Sequence, residues 1–360
     1  MAGPRIGLVL GAGGILGAAW MAGVLEGLRR ATGFEVPDAA LTVGTSAGAF
    51  LGSMLASGVP SAAIYGQCTG EPDDSVHPKV QALVAKVDTE HNGSWLLRFP
   101  LNRRLPRPVL AGPRIAWQAL RNHGGSHAEL VLAGLAGDGL FEARSLASVV
   151  RTASTAQRHR DLAYGWPRRP LWLVSCELER GTRVVFGRDG PLVPLDVAVR
   201  ASAAIPGLFA PQWIEGRRHV DGGVWSATNV DLLAGLDLDL VLVLSPLSGG
   251  HLPLARCTGP WWQKVSVRLA RGLRRRVDGR LETELQRVQA SGTPVLVLHP
   301  GADEIAAMPF HCMSLGQRGE VMRRATARTL GLLQHDPRWR SVGSLLEQAI
   351  WPREAWLRSA

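Results

Sequence analysis

The chain has 360 residues, enough for one large domain or two ordinary ones, either of which buries a full core. Its apolar share of 46% with only 19% charged residues excludes a disordered or purely solvating protein. Forty basic residues, nearly all arginine, against 30 acidic ones leave a net charge of +10, a surface that attracts phosphate, whether of nucleic acid or of anionic lipid headgroups.

Ile6-Gly7-Leu8-Val9-Leu10 reads as a buried strand, followed at once by the loop Gly11-Ala12-Gly13-Gly14-Ile15-Leu16-Gly17 and by a helix from Ala18 to Arg30. Leu41-Thr42-Val43 is a second short strand that enters Gly44-Thr45-Ser46-Ala47-Gly48, and Ala47 to Ser57 is an apolar helix stopped near Gly58-Val59-Pro60. Two stretches, Ile6–Leu28 with Glu26 its one charge and Ala39–Gly70 with none, have the hydropathy of a membrane span. Their glycines break each into strand, turn and helix, so neither a span nor a cleaved signal is expected. Between Glu71 and Gly137 prolines, tryptophans and mixed charge interrupt the periodicity, which reads as an inserted, mostly helical cap, either a substrate-covering lid or a packing subdomain.

Farther on, Leu171–Glu177 and Arg183–Phe186 flank a turn and predict a hairpin, and Leu240–Leu244 and Pro294–Leu298 are two more buried strands. Between these, Val265, Leu269, Leu273, Val277, Leu281, Leu285 and Val288 mark a long amphipathic helix. Leu315 to Leu333 is helical again. Short apolar strands alternating with helices predict an α/β fold with a largely parallel sheet covered on both faces. The expected organisation is a catalytic domain over 1–300, with 71–137 inserted as the cap, and a helical tail over 301–360 packed on the core. The four cysteines (Cys68, Cys176, Cys257, Cys312) form no C-x-x-C pair and no metal pattern, which predicts reduced thiols in the cytoplasm and no zinc site.

Three segments carry chemistry. Gly44-Thr45-Ser46-Ala47-Gly48 between a strand and a helix has the form of a nucleophile elbow, in which small neighbours let the chain turn sharply and present the serine hydroxyl. Gly11, Gly13 and Gly14 leave backbone N–H groups unobstructed at a helix start, where a developing oxyanion is favoured. A dinucleotide fingerprint counted from Gly11 would need glycine where Leu16 stands, and no Gly-Lys-Ser/Thr follows as a phosphate loop requires. The third segment is Asp221-Gly222-Gly223, a carboxylate on a glycine turn, preceded by Arg200-Ala201-Ser202-Ala203-Ala204-Ile205-Pro206-Gly207-Leu208-Phe209-Ala210-Pro211. Taken alone, an aspartate before two glycines is more often only a turn former.

Together these segments resemble the patatin-like phospholipase family, over roughly Ile6 to Leu233 apart from the cap. The resemblance implies a three-layer α/β sandwich with a mainly parallel central sheet, and hydrolysis of lipid acyl esters by a Ser–Asp dyad without histidine, metal or other cofactor. Carried over by position, Ser46 is the nucleophile, Asp221 the general base, and Gly11, Gly13 and Gly14 the oxyanion hole, with Gly44 and Gly48 shaping the elbow and Gly222 and Gly223 the turn. The chain departs from the family at Leu16, where a cation is usual, and at Asn229, which is followed by Val230 rather than closely by proline. His251 and His299 are the candidates for a histidine-assisted alternative, although neither has a motif around it.

Trp261-Trp262 precede the striped helix, whose other faces carry Lys264, Arg268, Arg271, Arg274, Arg275, Arg276 and Arg280. This pattern suits peripheral contact with an anionic membrane surface, although most such stripes belong to a core-packed helix with a solvated charged face. No nucleic-acid-binding module accompanies the arginines, so no nucleic acid is expected as partner. The expected partner is a lipid ester substrate. The second functional reading is a catalytically silent lipid-binding or regulatory protein on the same fold.

Overall fold

In the computed structural model, which describes residues 3–90, 139, 148–153, 163–252, 261–308 and 314–350, the chain opens with β1 (Ile6–Leu10), α1 (Gly14–Thr32), β2 (Leu41–Thr45), α2 (Ala47–Ala56), α3 (Ser61–Thr69) and α4 (Pro78–Glu90). Next come β3 (Leu171–Glu177), β4 (Thr182–Phe186), α5 (Leu195–Ser202), β5 (Gln212–Ile214) and β6 (Arg217–Asp221). The chain continues through β7 (Leu240–Leu244), α6 (Trp261–Ala290), β8 (Val295–Leu298), α7 (Ala302–Ala307), α8 (Arg318–His335) and α9 (Pro337–Ala349). Most of the cap expected over 71–137 lies outside the described residues; α4 falls within them.

The strands form one sheet in the order β5-β6-β3-β2-β1-β7-β8, with β4 paired to β3. From β3 to β8 neighbouring strands are parallel, whereas β4, β5 and β6 enter antiparallel. Leu8 and Leu10 of β1 pack into a cluster with α1, α2, α8 and α9, while Val9 between them joins Val43, Val241 and Val243 against Leu281 and Val288 of α6. With both faces covered, β1 and β7 are apolar at every position and β2 is buried throughout, and the architecture is a three-layer α/β sandwich.

The uncharged stretch from Ala39 to Gly70 folds into β2, α2 and α3, and the two helices are bent 119° from one another. Among the described residues no single helix is long and apolar enough to cross a membrane. The histidine-containing β6 is a strand that the sequence did not announce. Its Arg218 is buried against Glu179, with Nε donating to Oε1 at 2.7 Å, and this ion pair lets a charged sequence run inside a sheet.

The feature that positions the site is the shared edge of β3. One edge of β3 is taken by β4 from Leu173 to Glu177. The other is divided: β2 pairs along it up to Thr45, opposite Val174, and β6 arrives from the opposite direction to place Asp221 opposite Ser175. The carboxyl ends of β2 and β6 therefore meet on two consecutive residues of one strand.

Candidate active site

Ser46 is the first residue beyond β2, at φ 53 and ψ −114, a region that costs a non-glycine residue on the order of 1–3 kcal/mol. Two hydrogen bonds and a buried neighbour hold it there. Its N–H donates to Ser202 Oγ at 3.0 Å, its carbonyl accepts from Phe50 N at 3.1 Å in the first turn of α2, and Thr45 before it is wholly buried. Gly48 is required by close approach, since a Cβ at this position would lie 1.9 Å from the Leu10 carbonyl oxygen. Glycine here lets α2 start directly on the end of β1.

Across the shared edge, the Ser46 hydroxyl donates to Asp221 Oδ2 at 2.5 Å. The other carboxylate oxygen, Oδ1, accepts from Gly223 N at 2.7 Å. Both side chains are nearly closed off from solvent, Ser46 at 4% and Asp221 at 5% exposure. Burial pushes the Asp221 carboxyl up to about 6, against the opposing pull of the Ser46 hydroxyl and the Gly223 N–H. Cys176, one residue beyond Ser175 on β3, is fully buried, and its thiol is pushed up by burial and by the charge of Asp221, so it stays a neutral packing group.

The run from Arg200 to Pro211 serves both residues of the pair. Ser202, at the end of α5, receives the Ser46 N–H, and the Ala204 carbonyl receives Asp221 N at 3.0 Å. Asn229, in the left-handed region at φ 56, donates from Nδ2 to Thr45 Oγ1 at 3.0 Å and to the Ser226 carbonyl at 2.7 Å. It thereby ties the loop after Asp221 to the end of β2. Val230 then starts a short 3₁₀ turn, Val230–Leu233, in place of the proline turn usual for the resembled family. Neither Ser202 nor Asn229 was assigned a role from sequence. Ser202 carried a signal in the Ala-Ser-x-x-x-Pro run, and Asn229 in its spacing from Asp-Gly-Gly.

The glycine loop lies against this loop: Ala12 N donates to the Ala227 carbonyl at 2.7 Å, and a Cβ on Gly223 would sit 3.4 Å from that of Ala12. Of the three expected oxyanion donors, Gly11 is engaged elsewhere. Its N–H bonds the Leu244 carbonyl at 3.0 Å and prolongs the β1–β7 ladder by one rung. Gly13 and Gly14 have no such acceptor among the described residues, and they stand at the start of α1. Leu16, where the resembled family usually has a cation, is wholly buried in the core.

The candidate histidines lie apart from this pair. His251 and His299 contact each other edge to face at 5.3 Å, His251 faces Asp278 at 3.8 Å, and His299 Nδ1 is 3.0 Å from the Pro300 carbonyl. His219, two residues before Asp221, is buried, contacts Ser175 Oγ at 3.1 Å and has its pKa lowered by burial. The Ser46 hydroxyl is thus partnered by a carboxylate.

Behind the loop, Thr228 Oγ1 donates to Glu284 Oε2 of α6 at 3.0 Å, and Arg280 Nε approaches Oε1 at 3.2 Å. Burial, helped by the nearby Asp231, raises the pKa of Glu284. Among the described residues no group of three or more His, Cys, Asp or Glu side chains could hold a metal ion.

A sequence model of the patatin-like phospholipase family matches residues 8–234, more than half of the chain. The chain belongs to this family. The matched span contains the glycine loop, the Ser46 elbow and the Asp221 turn. Curated relatives include uncharacterized NTE family proteins of Mycobacterium bovis and Mycobacterium tuberculosis, 38% identical over 91 residues, or 25% of this chain and 24% of theirs. The patatin-like chain thus matches about a quarter of the length of these relatives. Among solved structures, VipD from Legionella pneumophila aligns over 93% of this chain and 67% of its own, with 14% identity and a TM-score of 0.39.

Proposed function

We propose that this patatin-like chain is a serine lipid acyl hydrolase, cleaving carboxylic esters of phospholipids or related lipids through an acyl-Ser46 intermediate with Asp221 as general base. The observation that carries this reading is the 2.5 Å hydrogen bond from Ser46 Oγ to a buried carboxylate whose pKa is raised to about 6. Such a carboxylate is mostly ionised at neutral pH and basic enough to take a proton as the hydroxyl attacks.

In this scheme Ser46 Oγ attacks the ester carbonyl while its proton passes to Asp221 Oδ2. The Gly13 and Gly14 N–H groups receive the oxyanion at the positive end of α1, each donor worth about 2.7–4 kcal/mol of barrier in comparable sites. The C–O bond to the leaving alcohol breaks, and that alcohol departs with the proton from Asp221. Water, deprotonated by the same carboxylate, then attacks the acyl-enzyme; the Ser46–acyl bond breaks, Asp221 returns the proton to Ser46 Oγ, and the fatty acid is freed. The Gly223 N–H on Oδ1 keeps the carboxylate oriented, so Oδ2 faces the serine throughout.

Turnover of a panel of phospholipid, lysophospholipid, glyceride and short-chain esters tests this reading. Ser46→Ala is expected to lower kcat by about 10⁴-fold or more while leaving the thermal melt of the protein intact. A wild-type protein that binds lipid vesicles but turns over none of these esters would sink the proposal in favour of a silent lipid-binding protein.

A further inference from the structure

Helix α6 is a different object in its two halves. Residues 261–276 hold six cations and no acid, whereas residues 277–290 hold two cations and three acids. Burial divides the same way. Leu281, Glu284 and Val288 are buried against the sheet and the loop after Asp221, but no residue from Val267 to Leu273 is buried. Leu269 and Leu273, which share a helix face one turn apart, are 61% and 45% exposed, and Arg268, Arg275 and Arg276 beside them are exposed as well.

The topology says where this exposed half stands. α6 connects the carboxyl end of β7 to the amino end of β8, and these strands are parallel, so the helix descends past the sheet from its catalytic end. Its 30 residues span about 45 Å, against about 17 Å for a five-residue strand. Asp278 is already level with the carboxyl edge, because its two oxygens accept from Gly249 N and Gly250 N just beyond β7. The thirteen-residue stretch from Trp261 to Leu273 therefore rises beyond that edge, by about 20 Å. At its base Arg274 is pinned to the Pro246 and Ser248 carbonyls, and Pro246 lies against Gly13. On the other side of the dyad the β5–β6 hairpin rises from the same end and carries Trp213, 59% exposed.

We infer that the amino-terminal half of α6 is a docking finger for an anionic lipid bilayer, seating its leucines among the acyl chains and its arginines on headgroup phosphates. Its place beside the glycine loop holds the dyad against the surface that supplies substrate. Charge complementarity selects anionic over neutral lipid, and the leucine pair selects a bilayer over nucleic acid, whose phosphates offer no apolar layer. The purpose of the finger rests on the hydrolase reading above, but its binding does not.

Flotation of the full-length protein with phosphatidylcholine vesicles, with and without added phosphatidylglycerol, reads this directly. The wild-type protein is expected to float with the anionic vesicles and not with the neutral ones. The double variant Leu269→Ser, Leu273→Ser should weaken the partition coefficient about 10-fold, and Arg268→Glu, Arg275→Glu, Arg276→Glu about 100-fold or more. Both variants should hydrolyse a water-soluble short-chain ester at the wild-type rate, since every changed residue is exposed and the hydrogen bonds of Ser46 and Asp221 go to other residues. Equal flotation with both vesicle types, or binding that neither variant weakens, overturns the inference. So does displacement from vesicles by duplex DNA that both leucine-bearing and leucine-free proteins bind equally well. Flotation without ester turnover in the wild type would leave the finger standing and remove the hydrolase.

Discussion

Asp221 occupies a place that disfavours its own charge. Its carboxyl titrates near 6 because burial outweighs the Ser46 hydroxyl and the Gly223 N–H, whereas the ordinary value is 3.8. Two consequences follow from the sign. For the turnover proposed above, the general base is lost as pH falls, so kcat/KM on a soluble ester should drop tenfold per unit below about 6. For stability, the folded protein keeps a proton between about 4 and 6 that the unfolded chain has released, so stability declines as pH rises through that window. Above it the full cost remains, on the order of 3 kcal/mol. Asp221→Asn is therefore expected to be inactive yet more stable than wild type at pH about 8, by roughly 1–3 kcal/mol in denaturant melts, and to converge with it near pH about 4. An Asn variant less stable at the higher pH would contradict this account. Ser46 and Asp221 were legible as candidates because an elbow and a glycine turn impose spacing on the sequence. The engagement of Gly11 was not, because one further rung of a ladder depends on register with Leu244, 233 positions away in the chain.

At the level of elements, the apolar strands were readable because both of their faces are covered, so β1 and β7 are apolar throughout and too short for helices, and β2 interrupts the pattern only with Thr42 and Thr45. β6 was unreadable for the opposite reason. Arg217-Arg218-His219 has the composition of a loop, and it becomes a strand only because Glu177, Glu179 and Ser175 answer its polar groups. The helix pair α1 and α8 shows what close packing demands. Thr326 Oγ1 donates to the Gly23 carbonyl at 2.8 Å, and a Cβ on Gly23 would meet the Met322 carbonyl oxygen at 2.5 Å and the Ala325 Cβ at 2.9 Å. Gly23→Ala should thus force the helices apart and lower stability by about 1–3 kcal/mol, although alanine is the better helix former by about 1 kcal/mol. A thermal melt decides which effect wins; an unchanged or raised Tm would show that the interface yields at little cost.

For the molecule as a whole, the long stripe of α6 was legible but its division was not. Hydrophobic spacing predicts one continuous apolar face, and only the height of the sheet determines that Leu281 and Val288 find cover while Leu269 and Leu273 do not. The divided edge of β3 has the widest reach of the features described. Thr45 and Asp221 sit opposite neighbouring residues of a single strand, so the gap between hydroxyl and carboxylate is fixed by the pitch of a buried backbone. No loop closure or lipid contact is required to assemble it. On the mechanism proposed above the pair is armed at rest, and restraint has to be exercised over who reaches the serine. A fluorophosphonate in plain buffer should accordingly modify the idle protein about as fast as it does beside vesicles, at a rate that fades with acid. Labelling that waits for lipid would mean the warhead is cocked by the membrane after all.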